Sequence, residues 1–114
     1  MKIKSAEKVV LKKHAPVLRT LSRAKKAKRN EILSSAPASL FRAIKILHKL
    51  LVKGGISLSN SDRAKMTPKT RAIMRKIHAT KSKDVKKTIL QNGQGFAGVL
   101  RVVLPIVRTI LGIV

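Results

Sequence analysis

The sequence predicts an all-α fold: several short amphipathic helices with basic faces, glycine hinges between them, and an apolar C-terminal helix. Three observations carry this. Apolar residues recur three and four positions apart along most of the chain, the period of a helix with one buried face. No run of strict polar–apolar alternation marks a strand. Helix-starting signals and glycine pairs then divide the chain into segments of helical length.

Residues about 6–23 form the first predicted helical region, with Val10, Val17, Leu18 and Leu21 as its apolar positions. Pro16 is expected to break or kink it. The basic run "RAKKAKRN" follows and reads as a solvated helix end or linker. The clearest element spans 39–53, with Ser39 as N-cap. Leu40, Ala43, Ile44, Leu47, Leu50 and Leu51 make its apolar stripe, and Arg42, Lys45, Lys49 and Lys53 its cationic one. His48 sits on the border of the two, where a surface or half-buried histidine is expected.

Gly54 and Gly55 end that helix. Ser59 to Asp62 reads as a capping box. Thr67-Pro68 reads as N-cap followed by first helical residue. A helix over 68–79 would place Ile73, Met74 and Ile77 on one face and Arg71, Arg75 and His78 on another. Ser82 would cap a short helix through Lys86, Lys87, Ile89 and Leu90. Residues 96–114 read as one more helix, bent at Pro105, with Gly98, Arg101, Pro105, Arg108 and Gly112 on a narrow face. The predicted organisation is therefore a basic body (1–92), a glycine hinge at Gly93 and Gly95 (93–95), and an apolar helix (96–114).

Lys and Arg total 27 in 114 residues against four acids, for a net charge of +23. Repulsion among these charges opposes compaction unless an anionic partner supplies the missing charge. The body is accordingly expected to be only partly ordered without one. Nucleic acid is the commonest such partner and an anionic membrane second. Two aromatic residues, Phe41 and Phe96, are too few for a base-stacking platform. The basic N-terminal stretch lacks an apolar run of signal-peptide length, so secretion is not expected.

Catalysis is not expected either. The acids are scattered, and His14, His48 and His78 are far apart without metal-ligand spacing. There is no cysteine, and neither glycine pair has the context of a phosphate loop. No cofactor or metal is called for.

Basic residues occur in every segment, which fits phosphate neutralisation better than base reading. The candidate phosphate contacts are Lys12, Lys13, Arg19 and Arg23 in the first helix, then Lys25, Lys26, Lys28 and Arg29 in the basic run. Arg42, Lys45 and Lys49 follow on the amphipathic helix, and Lys65, Lys69, Arg71, Arg75, Lys76, Lys86 and Lys87 beyond it. Arg71 and Arg75 would reach bases only if their helix entered a major groove. The tail offers Phe96, Val99, Leu100, Val103, Ile106, Val107 and Ile110 as a face for packing or docking, for membrane-interface contact or, least favoured, for spanning.

The order of features resembles the pX-like (mu precursor) minor core proteins of adintoviruses and Polinton (Maverick) elements, relatives of the adenovirus core protein precursor. The matching stretches are "APVLRTLSRAKKAKRNEIL", "LFRAIKILHKLLVKGGISLSNSDRAKM" and "RAIMRKIHATKSKDVKKTILQNGQGFAGVLRVVLPIV". The distinctive parts are "LVKGGISLS" between helices and "KKTILQNGQGF" before a Leu/Val/Pro tail. The departure is at the hinge, where Gln94 separates Gly93 from Gly95 in place of a Gly-Gly-Phe-Leu-like junction.

The resemblance implies a non-enzymatic virion protein that binds and condenses packaged double-stranded DNA without sequence preference. It implies a place in the virion interior, and in the host nucleus during assembly, with other virion proteins as partners of the C-terminal helix. It also implies cleavage by an adenovirus-type maturation protease at a glycine pair, Gly54-Gly55 or Gly93/Gly95. Neither site is a full match, and both also read as helix-ending turns. The alternative is a membrane-active virion protein that uses its amphipathic and apolar helices during entry. A cellular histone-like protein is a weaker third reading, because it has no use for an apolar tail.

Overall fold

In the computed structural model, residues 4–53 and 58–111 are described; among them are seven α-helices, one 3-10 turn and no strand. The helices are α1 (Ser5–Arg23), α2 (Lys26–Ser35), α3 (Ala38–Val52), α4 (Asn60–Lys65), α5 (Pro68–Ala79), α6 (Val85–Gln91) and α7 (Gly93–Leu111), with the 3-10 turn at Ser82–Asp84. The all-α expectation holds.

Local chemistry accounts for several boundaries. Ser59 caps α4 by accepting from the Asp62 amide at 3.1 Å, and its hydroxyl donates to Asp62 Oδ2 at 2.8 Å. Thr67 caps α5 in the same way through the Thr70 amide, with Pro68 at the first position. Other boundaries follow from packing. Pro37, not Ser39, precedes α3. The Ser39 hydroxyl lies instead 3.1 Å from His14 Nε2 on α1. The basic run expected as a linker or helix end is largely helical, as α2. Residues 54–57, and with them Gly54 and Gly55, lie outside the described residues, as do 112–114 and the side chain of Ile110.

Pro16 does not break α1, which runs through it with Pro16 on the solvent side. A proline inside a helix costs about 3 kcal/mol. Here Leu11 before it and Leu18 and Leu21 after it are all buried in one core, so packing keeps both halves in one helix. At about 2 kcal/mol for each buried leucine, that contribution outweighs the proline.

The core is a ring of four helices. Helix α1 packs on α3 and α7, and α5 packs on the same two, so α3 and α7 face each other across the centre. There the His48 ring of α3 stacks on Phe96 of α7, with centroids 5.9 Å apart and planes 22° apart. Helices α2 and α6 cover one side of the ring. The Cα radius of gyration, 12.8 Å, matches the ~13 Å of a packed chain of this length. The described helices close one core among themselves.

The tail is therefore not a separate piece. Phe96, Val99, Leu100, Val103 and Val107, expected as a packing, docking or membrane face, are all buried in the same core as Leu40, Ile44 and Leu47, so the packing reading holds, while Ile106 is partly buried against it. The division at 93–95 fails for the same reason: α7 begins at Gly93, and both glycines are helical. The break between α6 and α7 falls at Asn92 (φ −126°, ψ 30°). The glycines serve close approach instead. A Cβ on Gly95 would overlap the Ile73 Cδ1 methyl, and one on Gly93 would lie 2.6 Å from Arg29 Nε.

His48 is fully buried, where a surface or half-buried position was expected. Its Nδ1 lies 2.7 Å from the Ile44 carbonyl. That acceptor assigns the proton to Nδ1 and leaves Nε2 buried without a partner. Burial pushes the His48 pKa down to about 4, opposed by the Ile44 hydrogen bond and assisted by the nearby His78. His14 is shifted the same way by burial and Lys13.

A folded state with a depressed histidine pKa binds fewer protons than the unfolded chain below pH 6.5. Stability is therefore expected to fall as pH drops from about 6.5 toward 4, by roughly 3 kcal/mol from His48 alone. Urea unfolding at several pH values measures this. His48→Phe should flatten the dependence, and an unchanged slope in that variant would contradict the assignment.

Candidate nucleic-acid interface

Three of the four acids are paired with lysines. Glu7 Oε2 lies 3.3 Å from Lys49 Nζ, joining α1 to α3, while Glu31 pairs with Lys28 at 3.7 Å and Asp62 with Lys65 at 4.0 Å. Lys28 and Lys65 remain mostly exposed, so these weak surface pairs do not withdraw them from an incoming phosphate. Lys49 is half-buried and held by Glu7.

The remaining cations are not spread evenly. Arg19 and Arg23 of α1 and Arg101 and Arg108 of α7 line a groove of about 280 Å³ with Ser22, Leu100, Leu104 and Pro105. Arg101 is anchored there by its Nε, which donates to the Ser22 carbonyl at 2.9 Å. Arg23 and Arg101 also line a wider cleft of about 570 Å³, together with Lys25, Lys26, Arg29 and Lys69 and with residues 90–95. Shared walls make the two one tract, with eight basic residues and no acid lining it. In a groove walled by like charges, potentials add and attract counter-ions strongly.

The fold explains the tract. Arg101, Pro105 and Arg108 recur every three to four residues, opposite the buried face of α7. Helix α1 ends at Arg23 alongside them, and the two-residue link to α2 carries Lys25 to the mouth of the wider cleft.

Comparison with protein-family models, characterised protein sequences and solved structures finds no match.

Among the other sequence-predicted contacts, Lys12, Lys13, Arg75, Lys76 and Lys87 are exposed but line none of the clefts described. Arg71 is exposed, with Nη2 donating to the Met66 carbonyl at 3.3 Å. Lys45 is half-buried. Arg42 and Lys86 line a third cleft of about 750 Å³ with Lys83, and Lys86 Nζ donates to the Ser34 carbonyl at 3.1 Å. Arg29 departs most from expectation: it is only 7 % exposed, where a solvated cation was predicted.

Arg101 and Arg108 were missing from the predicted contact set. Their seven-residue spacing on one face was legible, but it read as the amphipathicity of a packing or docking helix. No group of three or more His, Cys, Asp or Glu residues that could hold a metal occurs among the described residues.

Proposed function

We propose that this chain is a non-enzymatic, pX-like minor core protein that coats double-stranded DNA inside a virus particle, neutralising phosphates without reading sequence. The observation that carries the reading is the acid-free basic tract along α1 and α7, lined by eight cations and lacking the aromatic faces that would stack bases. The order of helical segments and glycine pairs supports the virion assignment by resemblance. Partners are then duplex DNA and other virion components meeting the outer surface. Cleavage at Gly93/Gly95 would require the first turn of α7 to unwind, because that stretch is helical and Gly93 is buried.

The membrane-active alternative needs α7 to leave the core, uncovering Phe96, Leu100 and Val103. Among the described residues no helix is long and apolar enough to cross a membrane.

The test is fluorescence anisotropy with two unrelated duplexes of equal length across a salt series. Both should bind with the same affinity, falling by about 10³-fold or more between roughly 50 and 200 mM salt. A strong preference for one duplex, or an affinity indifferent to salt, would overturn phosphate neutralisation.

A further inference from the structure

We propose that the wider cleft holds a specific site for one phosphoryl group, built from Arg29 and the first turn of α7. The site stands on its own geometry and rests on the DNA-coating reading only for the source of the phosphate.

Two positive features meet there without a negative one. The Arg29 side chain is more than nine-tenths buried, lines the cleft, and leaves Nε without a hydrogen-bond partner. Its guanidinium lies against Gly93, so close that a Cβ there would come within 2.6 Å of Nε and 2.8 Å of Nη2. Gly93 opens α7, a helix of 19 residues. The positive end of the helix dipole thus faces a buried cation, an arrangement unfavourable to both until an anion joins them.

The backbone is ready for that anion. The first bond at this end of α7 runs from the Phe96 amide to the Asn92 carbonyl at 3.0 Å. The amides of Gly93, Gln94 and Gly95 therefore have no acceptor within the helix. Asn92 turns its side-chain amide back to the Thr88 carbonyl (2.8 Å) and caps none of them. Successive free amides at a helix start suit a tetrahedral oxyanion, and a guanidinium adds a planar fork of donors. Lys25, Lys26 and Lys69 on the same cleft add charge, and no carboxylate competes. Glycine at positions 93 and 95 keeps side chains out of the space between Arg29, Ile73 and the turn.

The test is a ¹H–¹⁵N NMR titration of the full chain with inorganic phosphate, against chloride at matched ionic strength. Saturable shifts of the Gly93, Gln94 and Gly95 amides and of the Arg29 Nε–H are expected with phosphate only. Gly93→Ala, whose methyl displaces the guanidinium, and Lys69→Gln on the exposed rim should each weaken binding, the first by about tenfold or more. Loss of dispersion in Gly93→Ala would leave the wild-type and Lys69→Gln titrations to decide.

Shifts that never saturate, or that chloride reproduces, would overturn the site. A second arm adds duplex DNA. Displacement of phosphate from these amides assigns the site to backbone phosphates, and retention of phosphate beside bound DNA assigns it to a free phosphate. DNA binding in a chain that ignores phosphate would sink the site and leave the DNA-coating reading intact.

Discussion

Phe96→Ala is expected to remove about 3–5 kcal/mol of folding stability, the cost of emptying a fully buried aromatic site. A domain of this size has a net stability of only ~5–15 kcal/mol, so the variant should unfold at much lower urea or near ambient temperature. The loss is large because Phe96 is the point where α3 and α7 meet across the helix ring, stacked on His48. A cavity there cannot collapse easily, since α1 and α5 hold the two helices apart. Cutting the chain after Gln91 should be worse still, removing Val99, Leu100, Val103 and Val107 from the same core. Circular dichroism during thermal unfolding measures both. A melting transition unchanged by Phe96→Ala would mean that α7 is an appendage and not a wall of the fold.

The second large effect concerns the basic tract. Replacing Arg19, Arg23, Lys25 and Lys26 together with glutamine should lower the slope of log affinity against log salt by about 3–4 units for duplex DNA. All four side chains are exposed, so the fold should persist, and removing like charges should slightly stabilise it. A matched variant with Lys12, Lys13, Arg75 and Lys76 changed to glutamine removes the same charge from outside the clefts described. It should lose less slope and less affinity. Equal losses in the two variants would show that DNA touches the whole surface evenly and that the tract has no special place.

The contrast between α5 and α7 shows what was legible in the chain. Thr67-Pro68 carries its own start signal, and α5 begins and ends where spacing and caps put it. The stripe from Leu40 to Leu51 likewise announces the buried face of α3. At Gly93 the local signal points the wrong way. Two glycines read as a hinge, yet they are small because Arg29 and Ile73 press against them from elements distant in sequence. The same distance hid Arg29 itself, which among its basic neighbours carries no local mark of burial. Ser39 was misread for a related reason: Pro37 precedes the helix, and the serine hydroxyl faces His14 instead. Pro16 was weighed on propensity alone, without the buried leucines on either side that keep α1 helical through it. Short-range chemistry was readable; choices made by packing across the ring were not.

The most direct test of the account as a whole is hydrogen exchange of the intact chain, measured alone, with duplex DNA and with anionic vesicles. The α7 amides over 96–107 should exchange in the slowest class in all three conditions, at the rate of global unfolding. DNA should add protection at residues 23–29 and 93–95, and vesicles should leave α7 unchanged. Fast exchange of α7 in the free chain, or a vesicle-dependent change confined to it, would contradict a core helix and support insertion into a membrane.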